Sequence, residues 1–141
     1  MTSATHSNEP RGAINNLLRL EGLALLGVSV LCYARSSATW TQFAWLFLLP
    51  DLSLLGYLLG PKVGAVCYNA LHSELGPMLL GAAAVLGFVP GAAVPLALIW
   101  AAHVGFDRAL GYGLKYADSF TQTHLGLIGH ARSAALRKAA V

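Results

Sequence analysis

The stretch IWAAHVGFDRALGYGLKY, residues 99–116, begins as an apolar membrane helix and then becomes polar. His103, Asp107 and Arg108 follow its apolar beginning within a few residues. A charged side chain at the centre of a membrane helix costs roughly 2.5–3.5 kcal/mol on insertion scales. Ionisable groups placed in such a run therefore point to a polar site within a membrane domain.

The whole chain is too apolar for a soluble domain. Of its 141 residues, 56% are hydrophobic and 11% are charged, and the mean hydropathy is +0.60. Soluble domains carry about 25% charged residues. A chain of this length forms one domain, whose core is too small to bury so many apolar side chains. The lipid bilayer is therefore the expected partner of much of its surface.

Four apolar segments have the length of about 20 residues that a membrane crossing needs. Only the short sequences RSSAT, GP and VPG separate them, which predicts antiparallel neighbours. The predicted fold class is all-α, a four-helix transmembrane bundle occupying residues 14–118, after a disordered cytoplasmic N-terminus at 1–13. The four segments are residues 14–34, 40–59, 62–88 and 92–114.

Basic residues set the predicted orientation. With four crossings, the N-terminus, the loop at 60–62 and the tail share one side, and the other side holds only Arg35. Because Lys and Arg favour the cytoplasmic side, we predict that both termini lie inside. No basic stripe with interleaved aromatic residues is present, so nucleic acid is not an expected partner. The basic residues of the shared side are Arg11, Lys62, Lys115, Arg132, Arg137 and Lys138, with Lys115 interpreted as a solvated flank.

The C-terminal segment, residues 119–141, has apolar runs too short to cross a membrane. Within 119–138, apolar residues recur at helical spacing with basic residues opposite them. This pattern predicts an amphipathic helix that lies in the membrane interface.

Polar residues of different segments fall at a similar depth. At 1.5 Å per residue, Asp51 and Asp107 lie about 10–12 Å from the inner boundary, and His72 and His103 about 15–16 Å. His103 and Asp107 are four residues apart and share one helix face. Since successive segments run in opposite directions, we predict that all four helices meet around a polar pocket near the cytoplasmic boundary.

The residue types in this layer suggest roles. His72, His103, Asp51 and Asp107 are the candidate catalytic residues and the candidate ligands of a divalent metal such as zinc. Arg19 is expected to pair with Asp51 or Asp107, since an unpaired charge at that depth is costly. A purely structural alternative stays open, in which the histidines hydrogen-bond across helices. The candidate substrate-binding residues are Arg19, Asn69, Arg108, Tyr112 and His124, the last expected to fold back under the bundle.

Four stretches carry a family resemblance: RLEGLALL, PDLSLLGYLLGPKVGAVCYNALH, LIWAAHVGFDRALGYGLKY and THLG. They resemble a family of small bacterial integral-membrane proteins that is catalogued as a domain of unknown function. The resemblance covers about residues 18–126 and implies the four-span fold and a location in the bacterial inner membrane, but it implies no activity. The family motifs contain the candidate residues above, together with Glu21, Tyr68, Lys115 and Tyr116.

Three classes of function fit these residues. The first is a membrane-embedded enzyme that acts on a lipid-like small molecule, either through metal-activated water or through metal-free acid–base chemistry. The second is a proton-coupled transport or binding module, which would require a homo-oligomer, with a haem held by His72 and His103 as a variant. The third is a structural or assembly subunit. HExxH and GxSxG motifs are absent from the chain.

Overall fold

The computed structural model describes residues 9–117, 120–128 and 137. Within them the membrane part is helical, and its elements follow in the order of the chain. They are α1 Glu9–Tyr33, α2 Trp40–Phe47, a 3₁₀ helix Leu49–Leu59, α3 Pro61–His72, α4 Leu75–Val85 and α5 Ala93–Leu110. Helix α1 thus begins five residues before the predicted boundary at 14, and residues 1–8 of the predicted disordered N-terminus lie outside the described residues.

Three helical stretches are long and apolar enough to cross a membrane: Gly12–Tyr33, Trp40–Leu59 and Ala93–Leu110. Helix α4 is a shorter apolar helix. These elements confirm the predicted all-α fold class. In the most apolar 18 residues of each stretch, only 11–33% of the residues are buried. Most of the apolar surface of these helices is therefore available to lipid. The predicted third segment, 62–88, consists of the two shorter helices α3 and α4.

Two of the predicted segments are interrupted, and each interruption has a local cause. Pro50 has no N–H to donate, and the chain changes from α2 to the 3₁₀ helix around it. Helix α3 ends at His72, and the next residue, Ser73, has an extended backbone with ψ 145°. There the Trp100 indole N–H donates to the Leu71 carbonyl oxygen at 2.6 Å. Irregular backbone inside a membrane protein is tolerated where it is buried or lines a cavity, and these breaks lie beside Asp51 and His72.

Helices α1 and α5 pack with their backbones in direct contact. A Cβ atom on Gly105 would lie 2.7 Å from the Gly22 carbonyl oxygen and from the Leu26 nitrogen. Gly105 is two residues from both His103 and Asp107, hence about 160° around the helix from each. Helix α1 therefore covers the face of α5 that points away from these two side chains. The prediction that all four membrane segments surround one polar pocket is wrong for the first segment.

The 3₁₀ helix and α3 form a tight hairpin that turns at Gly60. Gly60 has φ +113°, a backbone conformation that side chains with a Cβ atom rarely adopt. The Tyr57 ring packs directly over Gly64, leaving no room there for a Cβ atom. The turn thereby returns the chain toward the membrane and carries His72 back to the level of Asp51.

The segment after α5 folds back on the helices instead of forming the predicted helix. Strands β1 (Gln122–Thr123) and β2 (Gly126–Leu127) pair antiparallel, and Lys115 forms a bridge with Thr123. The interfacial helix predicted over 119–138 is therefore wrong for residues 120–128. Residues 118–119, 129–136 and 138–141 lie outside the described part of the chain.

Tertiary hydrogen bonds explain the hairpin. The His124 amide donates to the Leu114 carbonyl oxygen at 3.1 Å, and the Asn15 side chain donates to the Leu125 carbonyl oxygen at 3.1 Å. β-branched threonines favour extended backbone, and these partners satisfy backbone groups that a helix would have satisfied internally. The amphipathic spacing within 119–138 could not reveal these tertiary hydrogen bonds, and it therefore predicted a helix.

The contact between Gly22 and Gly105 predicts a position-specific effect of one methyl group. Gly105→Ala should lower the free energy of unfolding by about 1–3 kcal/mol, because the added Cβ meets backbone atoms of α1. Gly27→Ala is the matched control on α1, since no atom lies within 4 Å of a Cβ there. Denaturant titration in detergent would measure both variants. Equal stability of the two would contradict the close packing.

Candidate metal centre

Four polar side chains from three elements converge within the membrane domain. Asp51 comes from the 3₁₀ helix, His72 from the last turn of α3, and His103 and Asp107 from α5. One possible ligand atom from each lies within 4.8 Å of the other three. The structure thus brings together the four residues that the sequence indicated as candidate metal ligands.

The hydrogen bonding of His72 determines which of its nitrogens faces the cluster. Its Nδ1 lies 2.9 Å from the Tyr68 carbonyl oxygen. Because a carbonyl only accepts, Nδ1 carries the hydrogen, and Nε2 of the neutral ring carries the lone pair. Such a bond from one ring nitrogen to a carbonyl is the usual support of a histidine that binds metal through the other nitrogen.

The Nε2 atom of His72 faces the second histidine and two carboxylates. It lies 3.1 Å from His103 Nε2, 3.4 Å from Asp51 Oδ1 and 3.5 Å from Asp107 Oδ2. A lone pair directed at two carboxylates is repelled unless a proton or a cation lies between them. These contacts therefore call for a hydrogen on His103 Nε2, a proton shared with a carboxylate, or a cation among the four side chains.

Four of the six distances among the candidate ligand atoms are near those of a tetrahedral site, and the other two are at most 4.8 Å. Zinc binds histidine nitrogen and carboxylate oxygen at about 2.0–2.1 Å, and a tetrahedron with those bonds has edges of about 3.3–3.4 Å. His103 Nε2 lies 3.6 Å from Asp51 Oδ1. Together with the three distances from His72, four of the six edges fall between 3.1 and 3.6 Å.

Burial distinguishes the four candidate ligands. His72 and His103 are 4% and 1% exposed. The side chain of Asp107 is 16% exposed, whereas that of Asp51 is 39% exposed. Asp51 therefore marks the side from which a small molecule reaches the cluster.

Aromatic side chains support the cluster. The Tyr68 hydroxyl donates to Asp107 Oδ2 at 3.0 Å, and the Tyr68 ring stacks on His72 with centroids 3.7 Å apart. Phe47 packs edge-on against the ring of His103. Tyr68 was not among the predicted site residues, although its spacing of four residues from His72 places both on one face of α3.

Two of the predicted substrate-binding residues hold the segment that follows α5. The Asn69 amide group donates to the Lys115 carbonyl oxygen at 2.8 Å and accepts from the Lys115 nitrogen at 2.7 Å. His124 Nδ1 accepts from the Leu114 nitrogen at 2.8 Å. Burial lowers the pKa of His124, and the charge of Arg108 acts in the same direction. Within the described part of the chain, both residues thus make their hydrogen bonds to backbone outside the cluster.

The other predicted substrate-binding residues do not join the cluster through an ion pair. Arg108 pairs with Glu74 at 2.7 Å, and Tyr112 is 45% exposed. The Nε of Arg19 donates to the Ala109 carbonyl oxygen at 2.9 Å. Because α1 packs on the opposite face of α5, the expected ion pair of Arg19 with Asp51 or Asp107 is wrong, and Arg19 has no carboxylate partner among the described residues.

Lys115 was interpreted as a solvated flank, and that interpretation is also wrong. Lys115 is only 6% exposed. Its Nζ lies 3.2 Å from the ring centroid of Phe120 and 4.5 Å from that of Tyr68. Burial lowers the pKa of Lys115 to about 8, although the charges of Asp107 and Asp51 oppose this shift. The folded-back segment thus places a lysine ammonium group against the aromatic side chains that border the cluster.

An apolar cavity of ≈ 350 Å³ adjoins the chain positions that supply the ligands. Its lining includes Pro50, Leu71 and Trp100. Pro50 directly precedes Asp51, Leu71 directly precedes His72, and Trp100 lies about one helical turn before His103. A hydrocarbon group in this cavity would therefore lie beside the cluster.

These features define the class of the protein as an all-helical protein with membrane-spanning apolar helices and an internal His/Asp cluster. Residues 15–128 match the family described as "Domain of unknown function (DUF4260)", and the chain belongs to this family. The match confirms the resemblance seen in the sequence. No curated protein and no solved structure matches the chain.

Proposed function

We propose that the protein is a membrane-embedded, metal-dependent hydrolase that acts on a lipid-like substrate. The observation that carries this proposal is the convergence of His72, His103, Asp51 and Asp107, whose ligand atoms lie within 4.8 Å of one another. Two imidazoles and two carboxylates, with four of their six separations near tetrahedral values, suit zinc among the divalent metals. A catalytic site, unlike a structural one, keeps one position open for water or substrate.

The difference in burial suggests a role for each of the four residues. His72, His103 and Asp107 are the better buried, and they would serve as the three protein ligands of a catalytic zinc. A zinc ion in such a site supplies Lewis acidity and lowers the pKa of water. Asp51, the most exposed of the four, would accept the proton of the attacking water and donate it to the leaving group. Tyr68 would hold the orientation of Asp107.

The substrate class follows from the surroundings of the cluster. The cavity of ≈ 350 Å³ is lined by apolar side chains, among them Leu46, Leu80 and Ile99. Such a cavity suits a hydrocarbon chain. Each methylene group that is buried there contributes about 0.8 kcal/mol to the binding free energy. An ester or amide of a long-chain acid would place its chain in the cavity and its polar bond near Asp51.

The proposed location is the bacterial inner membrane, with both termini in the cytoplasm. The hydrogen bonds of Asn15 with Leu125 and of Asn69 with Lys115 put the first half of α1, α3 and the segment after α5 in contact. Lys62 and Lys115 belong to this end of the protein, whereas Arg35 follows α1 at the other. The excess of basic residues supports a cytoplasmic position for the first end.

A proton-coupled transport module, acting as a homo-oligomer, is the alternative that one observation favours. The His72–His103 contact of 3.1 Å lies between two carboxylates and resembles a proton relay. A relay needs no metal, whereas the proposed hydrolase requires one, so metal content separates the two functions.

Metal analysis of the purified chain gives the first test. The wild-type protein should contain close to one zinc ion per chain, and His72→Ala and His103→Ala should each lose it. His124→Ala is the matched control, because this histidine binds the backbone of Leu114 instead. Elemental analysis after detergent purification measures the metal. A metal-free wild-type protein that also fails to take up added zinc would reject the hydrolase and favour the relay.

The open position and the apolar cavity give a second test. In the cobalt-loaded protein, decanohydroxamic acid should change the visible spectrum at a concentration at least about tenfold lower than acetohydroxamic acid does, because its chain fills the cavity. Leu80→Trp should abolish that preference, while Leu23→Trp, on α1, should preserve it. A cobalt spectrum insensitive to both acids would indicate a closed, structural site.

Cysteine labelling tests the orientation. In a chain lacking Cys32 and Cys67, a membrane-impermeant maleimide added outside the inner membrane should label Ser37→Cys and leave Lys62→Cys unlabelled until the membrane is broken. The two positions lie before α2 and at the start of α3, and both are exposed. Labelling of both positions from the same side would contradict the proposed topology.

A further inference from the structure

A second polar site lies on the face of α5 that points away from the His/Asp cluster. A cavity of ≈ 270 Å³ is enclosed there by the first half of α1 and the segment after α5. Asn15, Asn16 and Arg19 line it from α1, with Gly111 and Leu125 opposite. These side chains provide amide groups and one guanidinium group, and the lining contains no carboxylate from the residues that the structure describes.

Arg19 has no carboxylate partner in the described part of the chain, so its positive charge is uncompensated there. Only its Nε is engaged, by the Ala109 carbonyl oxygen, and its two Nη groups have no partner among the described residues. Glu21 is two residues away, hence about 160° around α1, and is exposed. A guanidinium group whose Nη donors have no partner among the described residues is a binding group for phosphate or carboxylate oxygens.

An apolar groove continues from the same arginine toward the membrane interior. Its volume is ≈ 490 Å³, and Asn16 and Arg19 belong to its lining as well as to that of the polar cavity. The remaining lining is apolar, and includes Leu20, Leu23 and Phe106. The polar cavity and the apolar groove thus share Asn16 and Arg19, and the groove between α1 and α5 fits hydrocarbon.

We infer that this composite site binds one anionic glycerophospholipid, with the phosphate on Arg19 and an acyl chain in the α1–α5 groove. Charge complementarity selects an anionic head group, and the groove selects an attached chain over a free anion. The end of the protein that is rich in Lys and Arg is the end expected to face an anionic leaflet. The inference does not depend on the proposed hydrolase, because α5 separates Arg19 from the His/Asp cluster.

Three probes separate the parts of this ligand: phosphatidylglycerol, diacylglycerol with the same acyl chains, and inorganic phosphate. With the purified full-length chain in detergent, native mass spectrometry should show a one-to-one adduct with phosphatidylglycerol at concentrations where diacylglycerol shows none. Thermal unfolding should show stabilisation by phosphatidylglycerol and none by phosphate. Arg19→Gln should weaken phosphatidylglycerol binding at least about tenfold, the usual loss for a charge-assisted hydrogen bond.

Two further variants keep the test independent of folding. Arg35→Gln makes the same charge change at an exposed position on the opposite end and should bind phosphatidylglycerol like the wild type. Leu23→Trp leaves Arg19 and its bond to Ala109 in place but obstructs the groove, and should also weaken binding. Equal binding of diacylglycerol, equal stabilisation by phosphate, or undiminished binding by Arg19→Gln would each overturn the inference.

Discussion

The hydrogen bond from His72 to the Tyr68 carbonyl oxygen determines which nitrogen of His72 faces the cluster. It commits Nδ1 as the donor and directs the Nε2 lone pair at His103 and two carboxylates. Unprotonated nitrogen and carboxylate oxygen atoms within 4.8 Å repel one another in a medium of low dielectric constant, unless a cation or shared protons lie among them. The cluster therefore calls for shared protons or a cation, and the four separations near tetrahedral values lead us to propose a metal ion.

The irregular parts of the fold serve this cluster. The break at Pro50 and the break after α3 at Ser73 lie beside Asp51 and His72, and Trp100 satisfies the Leu71 carbonyl group that the second break exposes. Helix α5 then separates two environments. One face carries His103 and Asp107, whereas the opposite face meets α1 at Gly105 and borders the site of Arg19.

Much of this arrangement was predictable from the sequence, and the failures have identifiable causes. Depth along each segment placed Asp51, His72, His103 and Asp107 together, because depth needs only the helical rise and the direction of each segment. It does not say which face of a neighbouring helix a residue meets, and Arg19 therefore appeared to belong to the same pocket. The roles of Asn69 and Lys115 depend on the segment after α5, whose hairpin is held by tertiary hydrogen bonds that no periodicity shows.

An X-ray absorption spectrum at the zinc K-edge of the purified protein tests the metal centre most directly. Zinc bound by the His/Asp cluster should show a first shell of nitrogen and oxygen at about 2.0–2.1 Å, with the outer-shell scattering of two imidazole rings. That pattern should lose the contribution of one ring in His103→Gln. A first shell containing sulfur at about 2.3 Å, or one without imidazole scattering, would mean that zinc binds elsewhere, and would contradict the assignment.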